Sequence, residues 1–369
     1  MNAEQLYYHL SLVLIPHIGD VHISILMEYF RDPKLIFQAK RKELESISGI
    51  GSVRANAIKS FSEFELVERE LKFVEKNNIN VLVKTEEGYP TKLKEFQDAP
   101  HVLFFKGSAA LNGSKIVSII GTRSPTSYGK ERAIELIKTL SGQGVMVVSG
   151  LAYGIDTIVH KESLKAELPT LGVLGHGLDQ IYPKMNRSLA VEMLQNGGLI
   201  TEFMSKTKPD KQNFPLRNRI VSGIADAVVV VESGEKGGSL ITANMANAYN
   251  KDVFAYPGRS IDPQSRGCNE LIKSQRAMLI NDGTDFLSFM NWQKESSRKK
   301  AIQSSLFYDL TQEESVLLSL FNGEKTLSID QIHTLSNMKS SQVPLILLSL
   351  EMKGLVRILP GKIYAANYS

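Results

Sequence analysis

The chain has 369 residues, a hydrophobic content of 43% and a formal net charge of +4, which predicts a globular protein of two or three domains. Its single cysteine, Cys268, excludes an internal disulfide framework and argues against a thiolate zinc site. No apolar run reaches the roughly 18–20 residues of a membrane-spanning helix, and the first residues show no signal-peptide pattern. We therefore expect a cytoplasmic protein without a membrane segment or a metal site.

Residues 1–84 have the pattern of short helices and predict a SAM/helix-hairpin-helix-like domain. The segment LESISGIGSVRANAIKSF contains Gly49 and Gly51 between two helical periods. In a helix-hairpin-helix, such a glycine-rich turn brings backbone amides close to a phosphate. A tight helix–helix turn that binds nothing accounts equally well for the same residues.

Residues 85–290 alternate short apolar runs with helical patterns. The runs are KIVSIIG, GVMVVSG, TLGVLG, GLITE, ADAVVVVE and DVFAYPG. Apolar strands separated by helices predict a parallel sheet covered on both faces. The fold class is therefore α/β, a Rossmann-like, doubly wound sheet, and ligands of such sheets bind at the carboxyl ends of the strands.

Residues 291–307 are polar and charged and predict a linker. Residues 308–369 contain three helical patterns and a hairpin that turns at Pro360 and Gly361, which is a winged-helix arrangement. The third helical pattern has basic residues only at its ends, Lys339 and Lys353. Since a helix that reads DNA carries more basic and amide side chains, we favour a protein-contact or vestigial role for this domain.

The loop after the first strand of the sheet, GTRSPTSYG, opens a helix and suits an anion. The chain contains neither G-x-G-x-x-G nor the G-K-[ST] step of a Walker loop, which removes the main support for a dinucleotide site. Gly121, Thr122 and Arg123 instead offer backbone amides, a hydroxyl and a fixed positive charge, which suit a phosphate diester. The alternative is a helix-capping loop with a surface arginine.

The next two loops are also glycine-rich. Gly150 ends the second strand, and Asp156 and His160 follow it at a helical spacing of four residues. We interpret Asp156 as a favourable charge near the start of a helix and His160 as its pairing partner, rather than the two as a catalytic acid–base pair. Lys184 stands just beyond the glycines that follow the third strand, and we expect no catalytic residue in either loop.

The loop after the fourth strand is the most basic. From Lys206 to Arg219 it has five basic residues and one acidic residue, a local charge of +4. Cations that track phosphates and a ring that stacks on a base are typical of a single-strand groove, with Phe214 held outside a helix that opens at Arg217. The alternative makes Phe214 a buried anchor and pairs the arginines with Glu232 and Glu202.

A second anion-accepting turn follows the fifth strand. Gly237, Gly238 and Ser239 stand at the start of a helix, where backbone amides are free. Several such loops on one edge of a sheet indicate a polyanion rather than a single small phosphate.

These motifs, in this order and spacing, resemble the DprA/Smf family (DNA processing protein A). The matching segments are YPTKLKEFQDAPHVLFFKG, IIGTRSPTSYG, SGLAYGIDTIVH, LGHGLDQIYPKMN, NFPLRNRIVSGIADAVVVVE, GGSLITA and VFAYPGRSIDPQSRGCNELI. The chain departs from the family at MSKTKPDKQ, where a proline-rich stretch is common, and at KSQRA, where a glycine-containing step is common. Because of these departures, the resemblance does not predict the path of the loop 203–213 or of the edge near residue 275.

The resemblance implies a homodimer that binds single-stranded DNA in natural transformation (competence for DNA uptake), protects it and loads RecA recombinase onto it, without enzymatic activity or a cofactor. It implies that Arg123 grips a phosphate, that Lys211 and Phe214 supply charge and stacking, and that Arg217 and Arg219 line the groove. The full set of DNA-binding residues that we predict is Gly121, Thr122, Arg123, Gly150, Lys184, Lys211, Phe214, Arg217, Asn218, Arg219, Gly237, Gly238 and Ser239.

Two other functions compete with this one. Phosphoribohydrolases of related fold carry a catalytic glutamate beside a similar glycine-rich loop, but this chain has Asn244 in the run GGSLITAN. In the other alternative, the chain is an adaptor whose winged-helix domain alone binds the partner.

Overall fold

The chain folds into two compact units, Met1–Lys294 and Glu295–Ser369. The computed structural model describes residues 1–293, 310–321, 326–336, 338–339, 341–353, 355–359 and 363–366. Most of the predicted linker 291–307 and the predicted turn at Pro360 and Gly361 lie outside these ranges. Trp292, at the start of that segment, is buried against the ring of Phe286. Across the described ranges, no helix is both long and apolar enough to cross a lipid bilayer.

The first unit begins with six helices, as predicted for the amino-terminal region. They are α1 (Ala3–Leu14), α2 (Asp20–Phe30), α3 (Pro33–Gln38), α4 (Arg41–Ser46), α5 (Gly51–Lys59) and α6 (Phe64–Lys76). The predicted glycine turn joins α4 to α5. Gly49 and Gly51 have φ angles of 88° and 61° there, a left-handed backbone that glycine adopts at little cost.

A nine-stranded sheet forms the centre of the first unit, in the order β1-β2-β6-β5-β4-β3-β7-β8-β9. Its strands are β1 (Asn80–Val83), β2 (Val102–Gly107), β3 (Ile116–Ile120), β4 (Met146–Ser149), β5 (Thr170–Val173), β6 (Gly197–Thr201), β7 (Ala227–Val230), β8 (Asp252–Ala255) and β9 (Met278–Leu279). The six predicted strands are β3 to β8, and they pair in parallel. The three strands that sequence analysis missed lie at the edges, where β1 and β2 pair antiparallel.

Helices cover both faces of this sheet, which confirms the doubly wound, Rossmann-like prediction. They are α7 (Thr91–Lys94), α8 (Ser127–Leu140), α9 (Ile155–Lys165), α10 (Arg187–Met193), α11 (Asn213–Ile224), α12 (Gly238–Ala248), α13 (Arg266–Lys273) and α14 (Gly283–Phe289). Strand side chains alternate between two cores. Ile116 and Ile120 of β3 pack with the core that includes α11 and α12, whereas Val117 and Ile119 pack with the core of α8 and α9.

The amino-terminal helices pack against the sheet through buried polar contacts, which we call the helical–sheet junction. Asp20 Oδ1 accepts a hydrogen bond from the amide of His101 at 2.7 Å, and the buried His9 and His101 rings meet with 2.9 Å between Nδ1 and Nε2. Glu70 accepts hydrogen bonds from the amide and the hydroxyl of Ser205 at 2.9 Å and 2.5 Å. The start of the basic loop 203–213 is thereby fixed to α6.

The second unit has the winged-helix arrangement. Its elements are α15 (Gln312–Ser319), β10 (Leu327–Ser328), α16 (Ile329–Ser336), α17 (Val343–Met352), β11 (Val356–Leu359) and β12 (Ile363–Ala366), with the strands in antiparallel order β10-β12-β11. The exposed side chains of α17 include Leu345, Leu348 and Met352, and Glu351 is its only charged residue. A helix of this composition offers few hydrogen-bond donors to DNA bases. This composition is in line with the protein contact favoured from the sequence, which stays a prediction.

Candidate nucleic-acid interface

A crevice opens at the carboxyl ends of the parallel strands. Strands β4, β5 and β6 lie successively on one side of β3, and β7, β8 and β9 lie successively on its other side. The order of the strands therefore reverses between β3 and β7. Loops diverge at such a switch point and leave room for a ligand. The crevice has a volume of about 580 Å³, within the range of small-ligand sites.

Eleven of the predicted residues line this crevice. They are Gly121, Thr122, Arg123, Gly150, Lys211, Phe214, Arg217, Asn218, Gly237, Gly238 and Ser239. They come from loops and from the amino-terminal turns of α11 and α12, which are far apart in sequence, and the topology brings them to one edge as the sequence predicts.

Glu232, at the end of β7, holds the loop that carries Arg123. Its buried carboxylate accepts hydrogen bonds from the amide of Thr126 at 2.9 Å and from the hydroxyl at 2.5 Å. The amide of Thr122 donates to the Glu232 carbonyl at 2.7 Å. Glu232 therefore binds the threonine rather than an arginine, and the exposed Arg123 side chain lies 5.5 Å above the Phe214 ring.

Phe214 lies in the first turn of α11, because that helix begins at Asn213 and not at Arg217 as predicted. Proline fits here because the first helical turn needs no backbone donor. The Phe214 ring is half-buried over Gly175, where an added Cβ would lie 3.0 Å from the ring. One side of the ring is therefore supported, and the other remains at the crevice.

Two tyrosines that sequence analysis missed extend this aromatic surface. The ring of Tyr182 lies 6.1 Å from Phe214, and Tyr153 lies 6.4 Å from Tyr182. Both tyrosines are about 40% exposed. Their position could have been inferred, because both follow strands whose carboxyl ends reach this same edge.

Arg217 forms part of the crevice floor and is only 5% exposed. Its Nη1 donates to the Val173 carbonyl at 2.6 Å, while its buried Nε has no partner among the described residues. Burial lowers the pKa of Arg217 to about 10, and the charge of Asp156 opposes that shift. An added Cβ at Gly150 would lie 2.1 Å from Nη1, so glycine is required at this position.

Asp156 and His160 do not pair with each other. Asp156 accepts hydrogen bonds from the amides of Gly150 and Ala152 at 3.2 Å and 3.3 Å, and burial raises its pKa. The buried His160 contacts the Thr170 hydroxyl at 2.7 Å, and burial lowers its pKa to about 3. The interpretation of His160 as the partner of Asp156 is therefore wrong.

The amino terminus of α12 closes the crevice. Gly237 caps this helix, and the Ser239 hydroxyl donates to the Ser233 hydroxyl at 2.8 Å. The Gly237 amide donates to the Gly234 carbonyl and the Leu240 amide to the Gly237 carbonyl, each at 3.1 Å. The amides of Gly238 and Ser239 precede the first α-helical hydrogen bond and can serve an anion. An added Cβ at Gly237 would lie 2.3 Å from Ser233 Oγ, whereas Gly238 faces open space.

Arg219 and Lys184 are not among the lining residues of the crevice. Arg219 is buried at the helical–sheet junction, where it forms ion pairs with Glu202 and, at 3.1 Å, with Asp20. The expectation that it lines the groove is wrong because α11 turns it towards these carboxylates. Lys184 lies in a short 3₁₀ helix, Lys184–Asn186, just after Tyr182.

The alternative enzymatic site depends on a carboxylate at position 244. Asn244 instead accepts a hydrogen bond from Arg276 Nη1 at 3.0 Å. Within the described ranges, no group of three or more histidine, cysteine or acidic side chains is arranged to hold a metal ion.

Comparisons with known proteins identify the family to which the chain belongs. A family model described as DNA recombination-mediator protein A matches residues 80–291, and one described as the DprA winged helix domain matches residues 308–362. The chain is 42% identical to the DNA processing protein DprA of Bacillus subtilis (strain 168) over 225 residues, which are 60% of this chain and 75% of that protein.

Two solved structures share the fold. The X-ray structure of DNA processing protein A from Streptococcus pneumoniae has a TM-score of 0.67 at 30% identity and covers 76% of this chain and 97% of its own. The structure from Helicobacter pylori, described for the unique single-stranded DNA binding mode of that protein, has a TM-score of 0.53 at 32% identity and covers 58% and 95%. The chain therefore belongs to the DprA/Smf family of DNA processing proteins.

Proposed function

We propose that this protein binds single-stranded DNA in the crevice at the carboxyl edge of its sheet. The observation that carries the proposal is the exposed guanidinium of Arg123, 5.5 Å above the supported ring of Phe214. A cation beside an aromatic face can hold a phosphate and a base of one nucleotide at once. The single-strand binding of the Helicobacter pylori relative supports the same ligand class.

The predicted residues divide into two roles in this proposal. Arg123, Lys211 and the first-turn amides of α12 bind phosphates, since charge-assisted hydrogen bonds to an anion are the strong ones. The rings of Phe214 and Tyr182 stack on bases, and stacking tolerates any base because each has a π-face. Binding is therefore expected to be tight, salt-sensitive and largely independent of sequence.

We further propose that the protein acts as a recombination mediator. In this role a homodimer in the cytoplasm protects DNA taken up in natural transformation and loads RecA recombinase onto it. Family membership supports this role. We propose a binding role rather than a catalytic one because the position of the hydrolytic carboxylate is occupied by Asn244, whose side chain accepts from Arg276.

A salt titration with matched single- and double-stranded oligonucleotides tests the site. Arg123→Glu is expected to weaken single-strand binding roughly 100-fold, because a charge-assisted contact worth about 1.5–3 kcal/mol becomes a repulsion. Lys138→Glu is the matched control, since this exposed residue lies at the far end of α8. Equal single-strand affinities of wild type and Arg123→Glu would refute the site.

Two further measurements test the role. RecA-promoted strand exchange on single strands is expected to be stimulated by wild type and not by Arg123→Glu, and no stimulation by either protein would contradict the mediator role. Release of free nucleobase from nucleoside monophosphates, abolished by Gly238→Asp, would instead establish the enzymatic alternative.

A further inference from the structure

A second cavity with basic lining residues, which we call the α6 groove, lies apart from the crevice and shares no lining residue with it. It has a volume of about 530 Å³ and opens between α6 and the start of the basic loop. Its lining residues are Leu14, Leu66, Arg69, Glu70, Lys72, Phe73, Lys76, Met204, Ser205, Lys206 and Thr207. None of the DNA-binding residues predicted from the sequence is among them.

The groove carries an excess of positive charge. Arg69, Lys72 and Lys76 are spaced by three and four residues, so they share one face of α6. Lys206 stands on the opposite wall, and all four basic residues are exposed. The acidic lining residue, Glu70, is buried and accepts hydrogen bonds from the amide and the hydroxyl of Ser205, so the exposed charges that line the groove are the four basic ones.

The floor of the groove is apolar. Leu66 is 36% exposed, and Phe73 and Met204 are partly buried side chains that pack at the edge of the adjoining core. Basic residues along an apolar surface that includes an aromatic ring have the composition of a single-strand groove. Phe73 belongs to the apolar side of α6 that packs on this core, so the cations of the helix border an apolar surface.

The basic loop joins this groove to the crevice. Lys206 lines the groove and Lys211 lines the crevice, with the exposed Lys208 between them. Five residues of chain span at most about 18 Å. The loop is fixed between the two cavities, because Glu70 binds Ser205 and the Lys206 amide donates to Asp179 at 2.9 Å.

We propose that the α6 groove is a second binding site for the same DNA strand, which leaves the crevice, crosses the loop at Lys208 and lies along α6. The inference rests on the proposed function, and it assigns the amino-terminal helices a direct part in DNA binding. It predicts that the contact surface is longer than the crevice. Short oligonucleotides fill the crevice alone, and longer ones also reach α6.

Oligothymidylates of about six and about twenty nucleotides distinguish the two sites, since single-strand sites of one domain span roughly 4–16 nucleotides. Lys72→Glu/Lys76→Glu is expected to weaken binding of the long strand about tenfold and to leave the short strand within about twofold. Each phosphate contact contributes about 0.7 to the slope of log affinity against log salt for single strands, so the slope for the long strand falls by about 1.4.

Lys138→Glu/Lys161→Glu is the matched control, because it makes the same change in net charge at exposed positions of α8 and α9. The control is expected to bind both lengths like wild type. Unchanged binding of the long strand by Lys72→Glu/Lys76→Glu, or an equal loss for both lengths, would overturn the inference and leave the groove to another partner. Failure of the proposed function is a separate result, in which Arg123→Glu binds the short strand as well as wild type does.

Discussion

The crevice and the helical–sheet junction both contain arginines, but the surroundings of these arginines differ. At the junction, Arg219 is enclosed by the carboxylates of Asp20 and Glu202. In the crevice, Arg123 is exposed, and its guanidinium lies over the Phe214 ring rather than beside a carboxylate. Basic residues that the fold neutralises hold elements together, whereas an exposed cation away from carboxylates is available to an anion.

The largest expected effect separates the two regions by stability. Arg219→Met leaves Asp20 and Glu202 close together without their cation, so the free energy of unfolding is expected to fall by about 3–5 kcal/mol. Arg123→Met, on the exposed side, is expected to change it by less than about 0.5 kcal/mol. Urea unfolding of both variants provides the measurement. Equal losses in the free energy of unfolding would show that Arg219 contributes no more to stability than Arg123 does.

A smaller effect concerns binding within the crevice. Phe214→Ala removes the stacking surface, so the affinity for single-stranded DNA is expected to fall by about 1–3 kcal/mol with an unchanged dependence on salt. Lys211→Ala is expected to reduce the salt slope by about 0.7 instead. Fluorescence anisotropy over a range of salt concentrations distinguishes the two. A changed slope for Phe214→Ala would argue that the ring acts by placing cations rather than by stacking.

The third effect, the smallest per residue and per pH unit, is the pH response of His9 and His101 at the junction. Burial lowers the pKa of His9 to about 4 and that of His101 to about 3, below the usual value of 6.5. The unfolded chain therefore binds more protons as pH falls below 6.5, and stability decreases by about 1 kcal/mol per pH unit for each histidine. Above pH 6.5 this contribution is constant.

Urea unfolding between pH 6.5 and 5 tests this response. His9→Leu/His101→Leu is expected to reduce the pH dependence of the free energy of unfolding. The buried His160 still contributes to that dependence in this variant. A pH dependence identical to that of wild type would show that the two rings are solvated in the folded protein.

Much of the architecture follows from the sequence because buried parallel strands are continuous apolar runs. The pattern identifies β3 to β8, and their topology places Arg123, Lys211 and Gly237 at one edge. It does not identify β9, which is two exposed residues long. Local composition names Glu202 as a partner of the arginines but cannot tell that it pairs with Arg219 and not with Arg217. The other partners, Val173 on β5 and Asp20 on α2, lie far away in sequence.

The start of α11 at Asn213 sets which side chain faces which region. A helix turns 100° per residue, so Arg217 and Arg219, two residues apart, point about 160° away from each other. Helical phase thus directs Arg217 towards the floor of the crevice and Arg219 towards the helical–sheet junction. A single residue inserted between Phe214 and Arg217 would rotate the ring by about 100° relative to both arginines. The number of residues between Phe214 and Arg217 therefore constrains the geometry as strictly as the identity of the residues does.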